Sequence, residues 1–149
     1  MPRRRCVPSD GRQPAGLARR LAAMGYDTLV LIALWMLVAF IGVAANGGEA
    51  VTGPSFRLIL LLVTLLFFIV CWRRGGMTLG MQAWRLRLET RDGRRPSIGQ
   101  CLIRLGVAGV SLLALGLGHG WVLIDRERRS WADIASHTRV VVQPRRRQD

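Results

Sequence analysis

From Thr28 to Gly48 the chain reads TLVLIALWMLVAFIGVAANGG, 21 residues without a formal charge. At about 1.5 Å of rise per helical residue the run reaches roughly 30 Å, the thickness of a bilayer's hydrocarbon core. In that medium every backbone N–H and C=O must be satisfied within the segment, so the run is expected to be a transmembrane helix. The preceding LARRLAAMGYD consists mostly of good helix formers and starts the helix about three turns earlier, near Leu17. Asp27 then falls inside the helix rather than before it.

A second apolar run, LILLLVTLLFFIVCW, covers the 15 residues Leu58–Trp72. Fifteen helical residues rise only about 22 Å, so this helix spans if the preceding VTGPSF joins it and Arg57 snorkels towards the headgroups. Asn46, Gly47, Gly48, Gly53 and Pro54 mark the loop between the two spans. The third uncharged run, Leu105–Ile124, is 20 residues long, but glycine interrupts it at 106, 109, 116, 118 and 120. Arginines crowd both flanks, eight within Arg73–Arg104 and seven after the run, and a single crossing would export a basic tail. The expected form is a helix that enters, turns within Gly116–Gly120 and returns through WVLI, with a plain third span as the alternative.

The chain has 149 residues, with 22 basic against 9 acidic side chains and a net charge of +13. Every basic residue is arginine, and the clusters lie at the ends of the apolar runs. They form no nucleic-acid motif and have no paired aromatic platform, so the expected partner is the lipid bilayer, through anionic headgroups, and not nucleic acid. The same clusters place the N-terminus and the Arg73–Arg104 stretch in the cytoplasm. Trp72, Trp84, Trp121 and Trp131 fall near span ends, where indoles prefer to sit. Cys6, Cys71 and Cys101 stand too far apart for a metal or redox motif, and no Ser-His-Asp, Cys-His or paired-carboxylate arrangement suggests an enzyme. Neither a metal nor a cofactor is expected.

Within the polar stretch, AWRLRLET alternates Trp84, Leu86 and Leu88 against Arg85, Arg87 and Glu89, a strand pattern closed by the turn Asp92-Gly93. Ala83–Thr90 is expected to pair with the β-branched Thr138–Val142 as a two-stranded ribbon. Ser97 and Gln100 have capping-box spacing and open a helix at about Ile98. The fold class is an all-α membrane protein: two transmembrane helices, a third helix or re-entrant helical hairpin, and a small cytoplasmic ribbon. Residues 1–16 are expected to be a basic disordered tail, 17–142 the membrane domain and 143–149 a basic C-terminal tail.

Three segments together resemble the RDD family of bacterial integral membrane proteins: RRLAAMGYD, GGMTLGMQAWRLRLETRDGRRPS with its G-x-T-x-G element, and WADIASHTRVV with its D-x-x-x-x-T-x-V-V element. The resemblance implies a multi-pass inner-membrane protein. It also places the family's namesake arginine and two aspartates on Arg20, Asp27 and Asp133. Ala132 stands where members often have His before the late aspartate, and His137 where they often have Gly before the threonine. Cation or proton exchange is proposed for some members.

Asp27 is the leading candidate for an ion or proton site, because a carboxylate in a transmembrane helix must face protein and find a partner. Arg20 lies two turns away on the same face, but the rise of about 10 Å strains a direct pair, which leaves bridging through water or a second helix. Arg104, entering the third helix from the same membrane side, is a candidate partner, and an arginine of Arg20, Arg73 or Arg104 is expected within hydrogen-bonding or water-bridging reach of Asp27. Asp125 and Asp133 lie among Arg126, Arg128 and Arg129 and read as neutralising charges on a solvated surface. His119, in the glycine turn, and His137 read as interfacial polar groups. Two functions follow: a component of cation or proton transport, acting as an oligomer because two or three helices do not enclose a pathway, or a non-transporting adaptor that binds lipids or a membrane partner.

Overall fold

The computed structural model describes residues 13–143. Residues 1–12, with most of the expected N-terminal tail and Cys6, and 144–149 of the C-terminal tail lie outside the described residues. Helix α1 is Leu17–Ala45 and α2 is Pro54–Arg74, with Pro54 in the first turn, where its missing N–H costs nothing. Their 29 and 21 residues correspond to about 43 and 32 Å, so both are long enough to cross a membrane, and both are apolar enough. The two run side by side, tied at mid-height by the Trp35 indole N–H donating to Thr64 Oγ1 at 3.0 Å. Their apolar middles are almost wholly uncovered by the rest of the chain. Phe40 is 73% exposed and Met36 68%, an apolar surface that acyl chains or partner helices must cover.

After α2 the chain folds into a small polar-ended unit. Helix α3 is Leu79–Ala83, strand β1 Leu86–Thr90, helix α4 Ile98–Leu113, helix α5 Leu117–Gly120 with a 3₁₀ turn over Trp121–Leu123, helix α6 Trp131–Ala135 and strand β2 Thr138–Val142. The expected capping box opens α4: Ser97 Oγ accepts from the Gln100 N–H at 3.2 Å, and the Ser97 N–H donates to Gln100 Oε1 at 2.9 Å. The third apolar run is broken, as its glycines imply, though the break comes a little early, where Leu115 and Gly116 both adopt positive φ. The segments on either side meet at 107°, a broken span or a re-entrant hairpin. Gly118 closes the elbow, since a Cβ there would stand 2.5 Å from Ser111 Oγ and 2.8 Å from the Trp131 ring. The Ser111 hydroxyl in turn bonds His119 Nδ1 at 2.8 Å.

The ribbon forms as expected, antiparallel, with Leu86 opposite Val142 and Thr90 opposite Thr138. It starts three residues later than the alternation suggests, because Leu79–Ala83 is helical and Arg85 takes a left-handed φ of 55° to turn the chain into β1. Residues ahead of the expected boundary at Leu17 also join the ribbon. The Ala15 N–H donates to Val140 O at 3.0 Å, the Val142 N–H donates to Gln13 O at 2.9 Å, and Ala15 is fully buried.

Helix α3 with β1 and helix α6 with β2 are the same device used twice. Each has a hydroxyl N-cap (Thr78, Ser130), a five-residue helix, a left-handed residue (Arg85, His137) and a five-residue strand with the same in–out pattern. Equivalent positions are 52 residues apart, and so are Leu88 and Val140, which face each other at the centre of the ribbon. The two units are therefore related by a local two-fold through that pair. One packs on α1, the other on α4. His137 and Arg85 are the two left-handed links. The core of Ala15, Ala23, Trp72, Met81, Leu86, Leu88, Cys101 and Val140 fills the space between the ribbon and the helix ends.

Candidate functional site

Three carboxylates are buried among the described residues: Glu89, which pairs with Arg139 across the ribbon, and Asp27 and Asp133, which lie at helix ends. Asp133 has no exposed side-chain surface. Its Oδ2 accepts from Arg20 Nη1 at 2.5 Å and from the Ser130 N–H at 3.0 Å, and its Oδ1 accepts from Arg104 Nη1. The Ser130 hydroxyl accepts from the Asp133 N–H, so the aspartate sits in its own capping box, in the first turn of α6, while binding arginines from α1 and α4. Each nitrogen of the Arg20 guanidinium is engaged, since Nε also donates to Ala15 O at 3.2 Å and Nη2 to Arg128 O at 2.9 Å. Arg104 Nη1 also reaches Thr138 Oγ1 at 3.1 Å, and its guanidinium lies 5.5 Å from the centre of the Trp72 ring. Burial pushes the Asp133 carboxyl up, but the Arg104 and Arg20 charges and these hydrogen bonds outweigh it and hold the pKa at about 2.

This corrects two expectations. Asp133 is not a solvated surface charge, and Arg104 is not the partner of Asp27. The reading of Asp125 stands: it accepts from Arg129 at 3.0 Å near the surface, and that hydrogen bond keeps it below the ordinary carboxylate range.

Asp27 faces protein, 5% exposed, but among the described residues no arginine pairs with it. Its Oδ2 accepts from the Thr78 hydroxyl at 2.5 Å and its Oδ1 from the Gly80 N–H at 2.9 Å. Thr78 accepts in turn from the Met81 N–H at 3.2 Å as the N-cap of α3. The approach is close because residue 80 is glycine: a Cβ there would stand 2.1 Å from the Ala23 carbonyl oxygen. All three fixed positions of G-x-T-x-G thus have a structural task. Gly76 adopts a left-handed φ of 69° and accepts from the Leu88 N–H at 2.6 Å, Thr78 caps α3, and Gly80 lets α3 dock on α1.

Asp27 and the two arginines that bind Asp133 line a cavity of about 250 Å³. Arg20, Asp27, Thr78, Arg104, His119 and Ser130 supply its polar wall, and the rest is apolar side chains of α1, α2, α4 and the ribbon. No cluster of three or more His, Cys, Asp or Glu fit to hold a metal occurs among the described residues. Cys71 and Cys101 are free thiols.

The RDD family's sequence model matches residues 14–137, most of the chain. The chain belongs to the RDD family. No curated protein and no solved structure matched it. In this RDD protein Arg20 and Asp133 form one buried ion pair, which joins α1 to α6, while Asp27 stands in a centre of its own with the G-x-T-x-G element. Arg104, expected at Asp27, completes the first cluster instead. Thr78, Ser130 and Gly80 were not singled out as site residues, although Ser130-Trp131-Ala132-Asp133 has the same capping-box spacing that marked Ser97.

Proposed function

We propose that this RDD protein is an inner-membrane protein that handles protons or cations, with Asp27 as the binding carboxylate and the Arg20–Asp133–Arg104 cluster as the clamp that holds the fold around it. The observation that carries the reading is the donor set of Asp27, a hydroxyl and a backbone amide with no cation. A buried carboxylate that the protein does not neutralise calls for a proton or a cation from outside, whereas one paired with two guanidinium groups does not. Asp27 also lines the cavity, which gives a bound ion somewhere to enter.

Two or three helices do not enclose a pathway, so the transporting form is an oligomer, with the bare faces of α1 and α2 against partner copies or lipid. The arginine clusters favour a cytoplasmic N-terminus and ribbon, with the basic face against anionic headgroups. The test is proton and cation flux into vesicles reconstituted with the full chain. Flux is expected, and Asp27→Asn is expected to abolish it at equal protein abundance; retained flux would overturn the assignment. One observation favours the second reading, a non-transporting adaptor: both oxygens of Asp27 already accept a hydrogen bond. On that reading the wild-type protein carries no flux and Asp27→Asn leaves its lipid or partner binding unchanged.

A further inference from the structure

The cavity has features that a proton or metal-cation site does not need. Ala23, Met24, Phe68, Leu105, Ala108 and Leu112 give it a continuous apolar wall. At its polar side are donors without acceptors. Among the described residues Arg104 uses only Nη1, on Asp133 and Thr138, and its Nε and Nη2 carry no hydrogen bond. The Trp72 indole N–H, on a ring that lines the cavity and stacks against Arg104, is buried without a partner. A buried donor without an acceptor is costly, so the Trp72 N–H is poised for one, and Arg104, 12% exposed, offers its unused N–H groups beside it. A guanidinium fork with two free N–H groups fits a carboxylate, and a carboxylate also suits the charge balance, since Arg20 and Arg104 face only one carboxylate in their own cluster.

Size limits the occupant. The cavity exceeds the roughly 150 Å³ apolar void that takes up benzene, and falls below the roughly 300–1,000 Å³ of sites for drug-sized ligands. One hydrocarbon chain is accommodated; the two chains of a phospholipid are not. We propose that the cavity binds a single-chain amphiphilic carboxylate, a fatty acid in chemical class, with its head on Arg104 and Trp72 and its chain along the α1, α2 and α4 wall. The site does not depend on ion handling by Asp27, whose two oxygens are already engaged by Thr78 and Gly80.

The test is binding of radiolabelled dodecanoate to the full chain in phosphatidylcholine nanodiscs, with empty nanodiscs as the partition background and dodecanol as the uncharged control. Saturable binding above background is expected, about tenfold or more tighter for dodecanoate than for dodecanol. Arg104→Lys keeps a charge for Asp133 but removes the free fork, and is expected to erase the preference for the carboxylate. Ala108→Phe fills the cavity away from the ion pairs and is expected to abolish binding; it decides the matter if Arg104→Lys does not fold. Asp27→Asn removes a carboxylate from the wall, so binding should be unchanged or tighter while flux is lost, which separates this inference from the ion-handling one. Uptake equal to that of empty discs, equal uptake of the acid and the alcohol, or undiminished binding by Ala108→Phe would each overturn the proposal. So would a co-purifying two-chain phospholipid that dodecanoate does not displace.

Discussion

Asp27 and Asp133 are buried almost equally, at 5% and 1% exposed, yet their surroundings share little. Each sits against the first turn of a five-residue helix whose N-cap is a hydroxyl residue, Thr78 in one case and Ser130 in the other. Around Asp133 two guanidinium groups over-match the charge, and the carboxylate is locked in its ionised form. Around Asp27 the donors are neutral. The same helix end therefore supports two kinds of carboxylate, and the choice between a fixed charge and an adjustable one is made by the long helices. The first turn of α1 and the second of α4 bring arginines to one; the second half-turn past Ala23 brings a bare aspartate to the other.

The largest effect is expected at the locked carboxylate. Asp133→Asn leaves Arg20 and Arg104 buried together with no counter-charge, a loss of about 3–5 kcal/mol on the scale of breaking one side of a buried ion pair. The measurement is the thermal midpoint of the purified protein, together with its abundance in membranes. A variant that melts like the wild type would show that the clamp is dispensable and would dissolve the contrast. Next comes Gly80→Ala, which drives a methyl group into the Ala23 carbonyl. Relief requires α3 to back away from α1, for about 1–3 kcal/mol of overpacking, and it takes Thr78 and the Gly80 N–H away from Asp27. Flux and the thermal midpoint should fall together.

Asp27→Asn should cost less, about 1 kcal/mol or under, because the amide oxygen still accepts from Gly80 and the Thr78 hydroxyl can reverse and accept from the amide NH₂. A small change in melting with complete loss of flux is the result that sharpens the comparison; a destabilisation as large as that of Asp133→Asn would make Asp27 a second clamp. The smallest effect is that of mild acid on the clamp. The Asp133 carboxyl is lowered from 3.8 to about 2, so the unfolded chain takes up the proton first and acid favours unfolding. Its contribution is full above the unfolded value and is lost as pH falls through the folded one. Melting scans between about pH 5 and pH 8 should show no change attributable to Asp133, and below about pH 4 the difference between the wild type and Asp133→Asn should shrink.

Much of this architecture was legible because its signals are local. The 21 uncharged residues of Thr28–Gly48, the Ser97 and Gln100 box and the alternation in Trp84–Glu89 each act within a few turns or one strand. The pairing of charges was not legible, because the partners are far apart in sequence: Arg20 and Asp133 are 113 positions apart. Along α1 the two-turn rise already keeps Arg20 from a direct pair with Asp27, and the acceptor it finds instead is supplied by α6. The five-residue helices α3 and α6 are too short for periodicity to announce them. Asp133 seemed to belong to a solvated basic surface because three arginines precede it, yet only the backbone carbonyl of Arg128 enters its cluster.

The extended pairing of Gln13–Ala15 with β2 bears on how the molecule is made. Gln13 and Ala15, made early, are held by Val142 and Val140, made late, and Arg20 waits for Asp133 over 113 positions. While α1 and α2 enter the bilayer, Arg20 and Arg104 have no Asp133 to meet, and the ribbon unit stays open until α6 and β2 have been made. Closure is then a late event, in which β2 pairs with Gln13–Ala15 and Asp133 meets Arg20. A nascent chain stopped before Trp131 would present two unmatched guanidinium groups at the membrane surface, a chemical mark by which an unfinished molecule differs from a finished one.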